Sequence, residues 1–176
     1  MWALVESGSI TKMWSRPQAF NIGDTQYPAN TMTLWSESQL QSIGVYPVTI
    51  DNTNLKDTNY YTNTNVTYTV DGLTVKGSYG SATPKSLDDS GSGETLVKGL
   101  KTLHKETINQ QADSLLQPTD WYTLRAADGG TAVPSNIATY RAAIRTKANT
   151  HTTAIDNAAD VDALAALVYD WPELGS

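Results

Sequence analysis

Cysteine is absent from the 176 residues, phenylalanine occurs once, histidine twice, and only 17% of the chain is charged. Without cysteine there is no disulfide, no thiolate nucleophile and no Cys-based metal site, which fits a reducing cytosol or a particle assembled in one. The two imidazoles, His104 and His151, fall on different expected helices with neither HExxH spacing nor a clustered acid, so both are read as solvated or half-buried helix residues. The low charge density lacks the self-repulsion that keeps chains disordered, and folding is expected. Net charge is −6 with no run of Lys or Arg, which argues against a phosphate-tracking surface and therefore against nucleic acid as a partner. The opening Met1-Trp2-Ala3-Leu4-Val5 reaches Glu6 with no basic region ahead of it. It is read as neither a signal peptide nor a membrane span, and a soluble product beginning at Met1, with no membrane insertion, is expected.

Catalytic signatures are missing as well. No GxSxG, GxGxxG or GK[ST] loop occurs, and Gly77-Ser78-Tyr79-Gly80-Ser81 lacks the lysine and following helix of a phosphate loop, so a strand end is expected there. Asp88, Asp89 and Glu94 do not follow the alternating ligand spacing of an EF-hand and read as solvated. Asn65-Val66-Thr67 matches a glycosylation sequon, which carries no meaning without a secretory route. Hydroxyls and carboxylates are dispersed, so no acid–base pair stands out. The expectation is no enzyme: no catalytic residue, no metal and no cofactor.

What the chain does have is Thr, Asn, Ser and Gly in place of part of the usual apolar fraction, which stands at 39%. Composition breaks at Leu87-Asp88-Asp89-Ser90-Gly91-Ser92-Gly93-Glu94, and the apolar period changes from two before it to three or four after it. The fold class expected is α+β: an N-terminal antiparallel β unit over residues 1–86, an acidic Gly/Ser linker over 87–95, and an α-helical C-terminal unit over 96–176. In the first part, hairpins are expected at Ser7-Gly8-Ser9, at Gly23-Asp24 between Phe20, Ile22 and Tyr27, and at Asp71-Gly72 between Val66–Val70 and Leu73–Val75. Pro17 and Pro28 confine their strands to edges or ends. Ser36-Glu37-Ser38-Gln39 spells a capping box for a short helix that Gly44 ends, with a strand through Val45, Val48 and Ile50 after it.

In the second part, Leu96, Leu100, Leu103, Thr107, Ile108, Ala112 and Leu115 form one helical stripe of about 21 residues, roughly 30 Å long, ending before Pro118. Pro134 starts a second helix through Ile137, Tyr140, Ile144, Ala148, His151, Ile155 and Ala158, and the two long helices are expected to form an antiparallel hairpin. Asp160 caps a short third helix with Val161, Leu164, Leu167 and Val168, which Pro172 stops. Five tryptophans and nine tyrosines against a single phenylalanine mean that rings with a polar edge are preferred, as at protein interfaces and at the margins of small cores. Trp2, Trp14 and Trp35 are the interface candidates in the first part.

The run Leu115-Leu116-Gln117-Pro118-Thr119-Asp120-Trp121, followed by Arg125, Pro134, Tyr140-Arg141 and Arg145, resembles a pattern of phage tail proteins in which an "LLxxTDW" turn precedes a "P…YRxxxR" helix. Met1 to about Val48 likewise resembles the opening of virion structural proteins of marine and cyanobacterial tailed phages, and the similar stretches run over Met1 to Val48 and about Lys98 to Leu167. That resemblance implies a non-enzymatic structural component of the virion, in the tail, baseplate or tail fibre region, made in the host bacterial cytoplasm and docking other tail proteins. The rival implications are a tail fibre assembly chaperone not retained in the particle, and a receptor- or glycan-binding module. Homo-oligomerisation through the long helix is expected on the same grounds. The candidate interaction residues are Asp120, Trp121, Arg125, Tyr140, Arg141 and Arg145. Thr119 or Asp120 is expected to cap the turn and Trp121 to pack over the helix pair, while Arg141 and Arg145, one turn apart, suit either an acidic partner or pairing with Asp120 or Asp128.

Overall fold

Ser7 at φ 51° and Gly8 at φ 79° turn the chain between β1 (Trp2–Glu6) and β2 (Ser9–Trp14) in a computed structural model that describes residues 1–175. Two successive positive φ angles match the right-handed twist of the strands they join. Gly23, at φ 55°, does the same between β3 (Phe20–Ile22) and β4 (Thr25–Tyr27). After the one-turn helix α1 (Thr31–Leu34), the capping box forms as spelled: the N–H of Gln39 donates to the Ser36 hydroxyl and the N–H of Ser36 to the Gln39 side chain. It opens α2 (Glu37–Ser42), and Gly44 at φ 79° lets the chain leave for β5 (Val45–Asp51).

The chain divides into two compact units, Met1–Thr83 and Pro84–Ser176. In the first, β6 (Val66–Asp71) and β7 (Thr74–Tyr79) complete a five-stranded sheet of order β2-β1-β5-β7-β6. The α+β class and the strand positions match the sequence, but the sheet is mixed: β5 and β7 run parallel, from Val48 beside Val75 to Asp51 beside Ser78. Alternation identifies a strand without naming its neighbour, and here the excursion between β5 and β7 is long enough to bring the chain back in the same direction. The last hairpin also shifts by one residue. Asp71 pairs with Thr74, so the turn is Gly72-Leu73 rather than Asp71-Gly72, and the Asp71 carboxylate stays on the ladder, ion-paired with Lys76. Gly72 alone supplies the positive φ, at 61°. Edge strands β2 and β6 come within 8 Å of each other between Cα atoms, so the sheet is strongly curled. Leu4, Trp14, Phe20, Met32, Leu40 and Val45 form the core of this unit.

The second unit contains α3 (Leu100–Leu116), α4 (Asp120–Ala127), α5 (Ser135–Asn157) and α6 (Val161–Ala165). α3 and α5 are antiparallel: Arg141, early in α5, reaches Leu116 at the end of α3, while Lys101, early in α3, reaches Asp156 near the end of α5. Leu100, Ile108, Ala112, Ile137, Ile144, Ile155, Val161 and Leu164 are buried, whereas Leu96 and Leu103, expected on the same stripe, are exposed.

α3 begins four residues later than its apolar stripe because Gly99 is packed against the loop ahead of it. The N–H of Gly99 donates to the Asp89 carboxylate at 2.7 Å, and those of Leu100 and Lys101 to the carbonyls of Ser86 and Leu87. Three of the four orphan donors at a helix start are thereby satisfied. Ser90 and Val97 exchange backbone hydrogen bonds across the same loop. The stretch expected as an acidic Gly/Ser linker is thus hydrogen-bonded to the start of α3 through the Leu87 carbonyl and the Asp89 carboxylate. At the other end Pro118 does not stop the helical path but sits at the start of a 3-10 turn, Gln117–Thr119, that leads into α4. α6 is capped by Asp160, as expected, and ends at Ala165, leaving Leu167 and Val168 outside it.

Candidate protein-docking surface

The turn between α3 and α4 is built around one guanidinium. Arg141 is buried, 6% exposed, and its Nη1 donates to the Leu116 carbonyl at 2.9 Å and to the Thr119 hydroxyl at 2.6 Å, while Nη2 pairs with the Asp120 carboxylate at 2.8 Å. Thr119 in turn donates to the Leu116 carbonyl. Three acceptors around a fixed planar fork hold the helix end, the 3-10 turn and the start of α4 in one arrangement. Tyr140, half-buried, directs its hydroxyl at the Leu115 carbonyl at 3.5 Å, and Arg145, one turn beyond Arg141, is exposed. The two arginines therefore do not form one clamp for an acidic partner: Arg141 is consumed inside the fold.

The surface that this turn presents is α4, which buries none of its eight residues. Trp121 is 50% exposed and Leu124 65% exposed, one turn apart on the same side. Trp121 does not pack over the helix pair as expected; its ring lies 3.8 Å from that of Tyr122, tilted by 30°. The Arg125 guanidinium carbon stands 4.8 Å from the Trp121 ring centre and 5.4 Å from that of Tyr122. The guanidinium thus contacts both rings, which favours this orientation of the half-exposed indole. Reading Thr119-Asp120-Trp121 as a turn concealed this, because the Trp121, Leu124, Arg125 spacing shows a common face only once the segment is known to be helical. Tyr122 and Leu124 were missed for that reason.

In the N-terminal unit the tryptophans divide by depth. Trp14 is 1% exposed and belongs to the core, which corrects its reading as an interface residue: a ring that solvent does not reach offers nothing to a partner. Trp2 is half-buried against the same core. Trp35 is exposed and meets Tyr27 edge-on at 5.9 Å; Tyr27 stacks on Phe20 at 5.0 Å, and Phe20 meets Trp14 at 5.0 Å. An aromatic column therefore runs from the core to Trp35 at the surface, so Trp35 rests on a firm base.

Concave regions on the helical unit are open grooves. One follows α5 past Thr146, Asn149, Thr150 and Thr153, and another follows α3 past Gln110, Gln111, Ser114 and Trp171, neither with an ionisable side chain in its lining. A third holds Asp113 and Asp120, of which Asp120 is engaged by Arg141. Among the described residues no three His, Asp or Glu side chains gather closely enough to hold a metal ion, and no helix is long and apolar enough to cross a membrane. No protein-family model, curated protein or solved structure matches the chain.

Proposed function

We propose that the chain is a non-enzymatic structural part of a tailed-phage particle, from its tail, baseplate or fibre region, and that it docks neighbouring tail proteins through α4. The reading takes its phage context from the sequence resemblance, and one structural observation supports the docking: a helix with no buried residue that presents Trp121 and Leu124 beside an ordered aromatic–guanidinium stack. Tryptophan in such a pose is the kind of residue that dominates interface energetics, since its large apolar area is desolvated with little rotamer entropy left to lose. The partner is another virion protein or a further copy of this chain, and neither nucleic acid nor membrane enters the reading.

Purified particles of the encoding phage provide the test. The chain is expected at fixed stoichiometry in them, and a photoreactive side chain at position 124 is expected to crosslink to a tail protein. Absence from the particle, with the chain found only on unassembled fibre subunits, would replace this reading by that of an assembly chaperone.

A further inference from the structure

Most cations on the long helices are matched inside the chain. Lys105 pairs with Asp156, Lys147 with Asp170 and Arg141 with Asp120, and Lys101 donates to the Asp156 carbonyl. Arg145 has no such partner and is simply exposed. Arg125 on α4 is a different case. It is half-buried, its guanidinium lies over the Trp121 and Tyr122 rings, and its Nε is buried without a hydrogen-bond partner. Among the described residues its guanidinium forms no ion pair and no hydrogen bond: Asp120 is taken by Arg141, and Asp128, one turn on, is exposed and pairs with nothing. Two ring faces and the last turn of a helix both suit a cation. Neither supplies an acceptor here, although a guanidinium that rests its flat side on a ring keeps five N–H donors in its plane.

On the reading that α4 is the docking element, on which this rests, we propose that its partner is a peptide segment of another protein carrying one carboxylate beside an aliphatic or aromatic side chain. The apolar side chain covers Trp121 and Leu124, which are 50% and 65% exposed, and the Asp or Glu next to it accepts from the Arg125 guanidinium.

Charge complementarity selects this occupant. Trp121 and Leu124 alone would accept any apolar surface, but a guanidinium next to Leu124 and over the Trp121 ring adds a condition. A neutral partner that covered the two apolar residues would strip water from Arg125 and return no hydrogen bond, which disfavours it, and a cationic one would be repelled outright. A carboxylate instead meets an N–H fork matched to its own geometry, in a place that the apolar contact dries, where a charge-assisted bond gains strength. The net charge of −6 limits how acidic the partner can be: it opposes both a run of acids and a second copy of this chain. A single carboxylate on a different protein satisfies both conditions.

Selection from a random-peptide library on the immobilised full chain tests this, at about 0.15 M salt and in parallel with Leu124→Ser, a change at an exposed position that leaves folding intact. Peptides held by the wild type and lost from Leu124→Ser are expected to share an Asp or Glu beside Leu, Ile, Phe or Trp. With the tightest of them, exchanging that carboxylate for its amide is expected to weaken binding to the wild type by about tenfold or more, and binding to Arg125→Gln by less than about twofold. Leu124-dependent peptides without an acid, or an equal loss on amide exchange in the two chains, overturn the carboxylate and leave docking through α4 standing. No Leu124-dependent peptide at all removes the docking role of α4 with it. Self-association of the wild type in sedimentation that Leu124→Ser abolishes would put a second copy in the partner's place and overturn the proposal too. If Arg125→Gln fails to fold, the wild type decides alone: a loss on amide exchange below about threefold overturns the proposal.

Discussion

Arg141 carries a permanent charge into the helical unit, and the position is tolerable because Leu116, Thr119 and Asp120 accept from its two terminal nitrogens. Its Nε is buried with no hydrogen-bond partner, so the arrangement is not free of strain on the polar ledger. Replacing it by methionine of similar length leaves the turn acceptors without their donor, and a loss of about 2–4 kcal/mol in urea unfolding of the helical unit is expected. Asp120→Asn should cost no more than about 1 kcal/mol, because that carboxylate is half exposed and the amide oxygen still accepts. Equal losses in the two variants would show that the ion pair, not the carbonyl and hydroxyl bonds, holds the turn. Trp121→Ala makes the complementary case: with half of its surface in water the ring contributes little to folding, and a cost below about 1.5 kcal/mol is expected where a buried ring would cost about 3–5 kcal/mol. The sequence placed Arg141 and Asp120 within reach because the hairpin and the turn were legible. It misplaced Trp121 and Trp14, since a ring's depth depends on what the rest of the chain lays over it.

At the scale of elements, what was legible is what local chemistry dictates. Ser7-Gly8, Gly23-Asp24 and the Ser36–Gln39 box announce themselves because turns and caps are decided within four residues. The parallel neighbour of β5, the Gly72-Leu73 turn and the capping loop at 86–90 depend on residues that are distant in the chain or on ladder bonds, and no periodicity reports them. Ser7 offers a sharp test of the first class. It is the one non-glycine residue at positive φ among those described, and Asn tolerates that region better than Ser, so Ser7→Asn should raise stability by about 0.5 kcal/mol in thermal or urea melts. A destabilised variant would mean that the turn is held by something other than its own backbone preference. Gly99 tests the second class: a Cβ there would come to 2.4 Å from the Asp88 carbonyl carbon and 2.5 Å from the Leu87 oxygen, both backbone atoms that cannot yield cheaply. Gly99→Ala should therefore detach the loop from α3 and cost more than about 2 kcal/mol, with faster amide exchange confined at first to Leu100 and Lys101. A silent substitution would show that the loop moves aside at little cost.

For the molecule as a whole, three carboxylates and one imidazole with lowered pKa place the relevant titrations on the acid side. Asp51 is held below the usual carboxylate range chiefly by the Thr53 hydroxyl, Asp89 by the Gly99 N–H and then the Thr102 side chain, and Asp170 by Lys147. For such groups the stabilisation is present above the ordinary carboxylate value of about 3.9 and is lost as pH falls through the lower folded value, whereas partial burial lowers the pKa of His104, so its contribution fades earlier, below about 6.5. Two separate acid limbs are expected, and Asp89 isolates the lower one on the helical unit. Asp89→Asn keeps an oxygen for Gly99 but removes the charge that the N–H favours. Its far-ultraviolet circular dichroism melts should run below those of the wild type near neutral pH and converge with them as pH falls through the lowered folded value of the Asp89 carboxyl, where the wild-type side chain is protonated too. A gap that stays constant from neutral pH down into that range would place the effect in the geometry of the amide, and the capping of α3 would then owe nothing to the negative charge of Asp89.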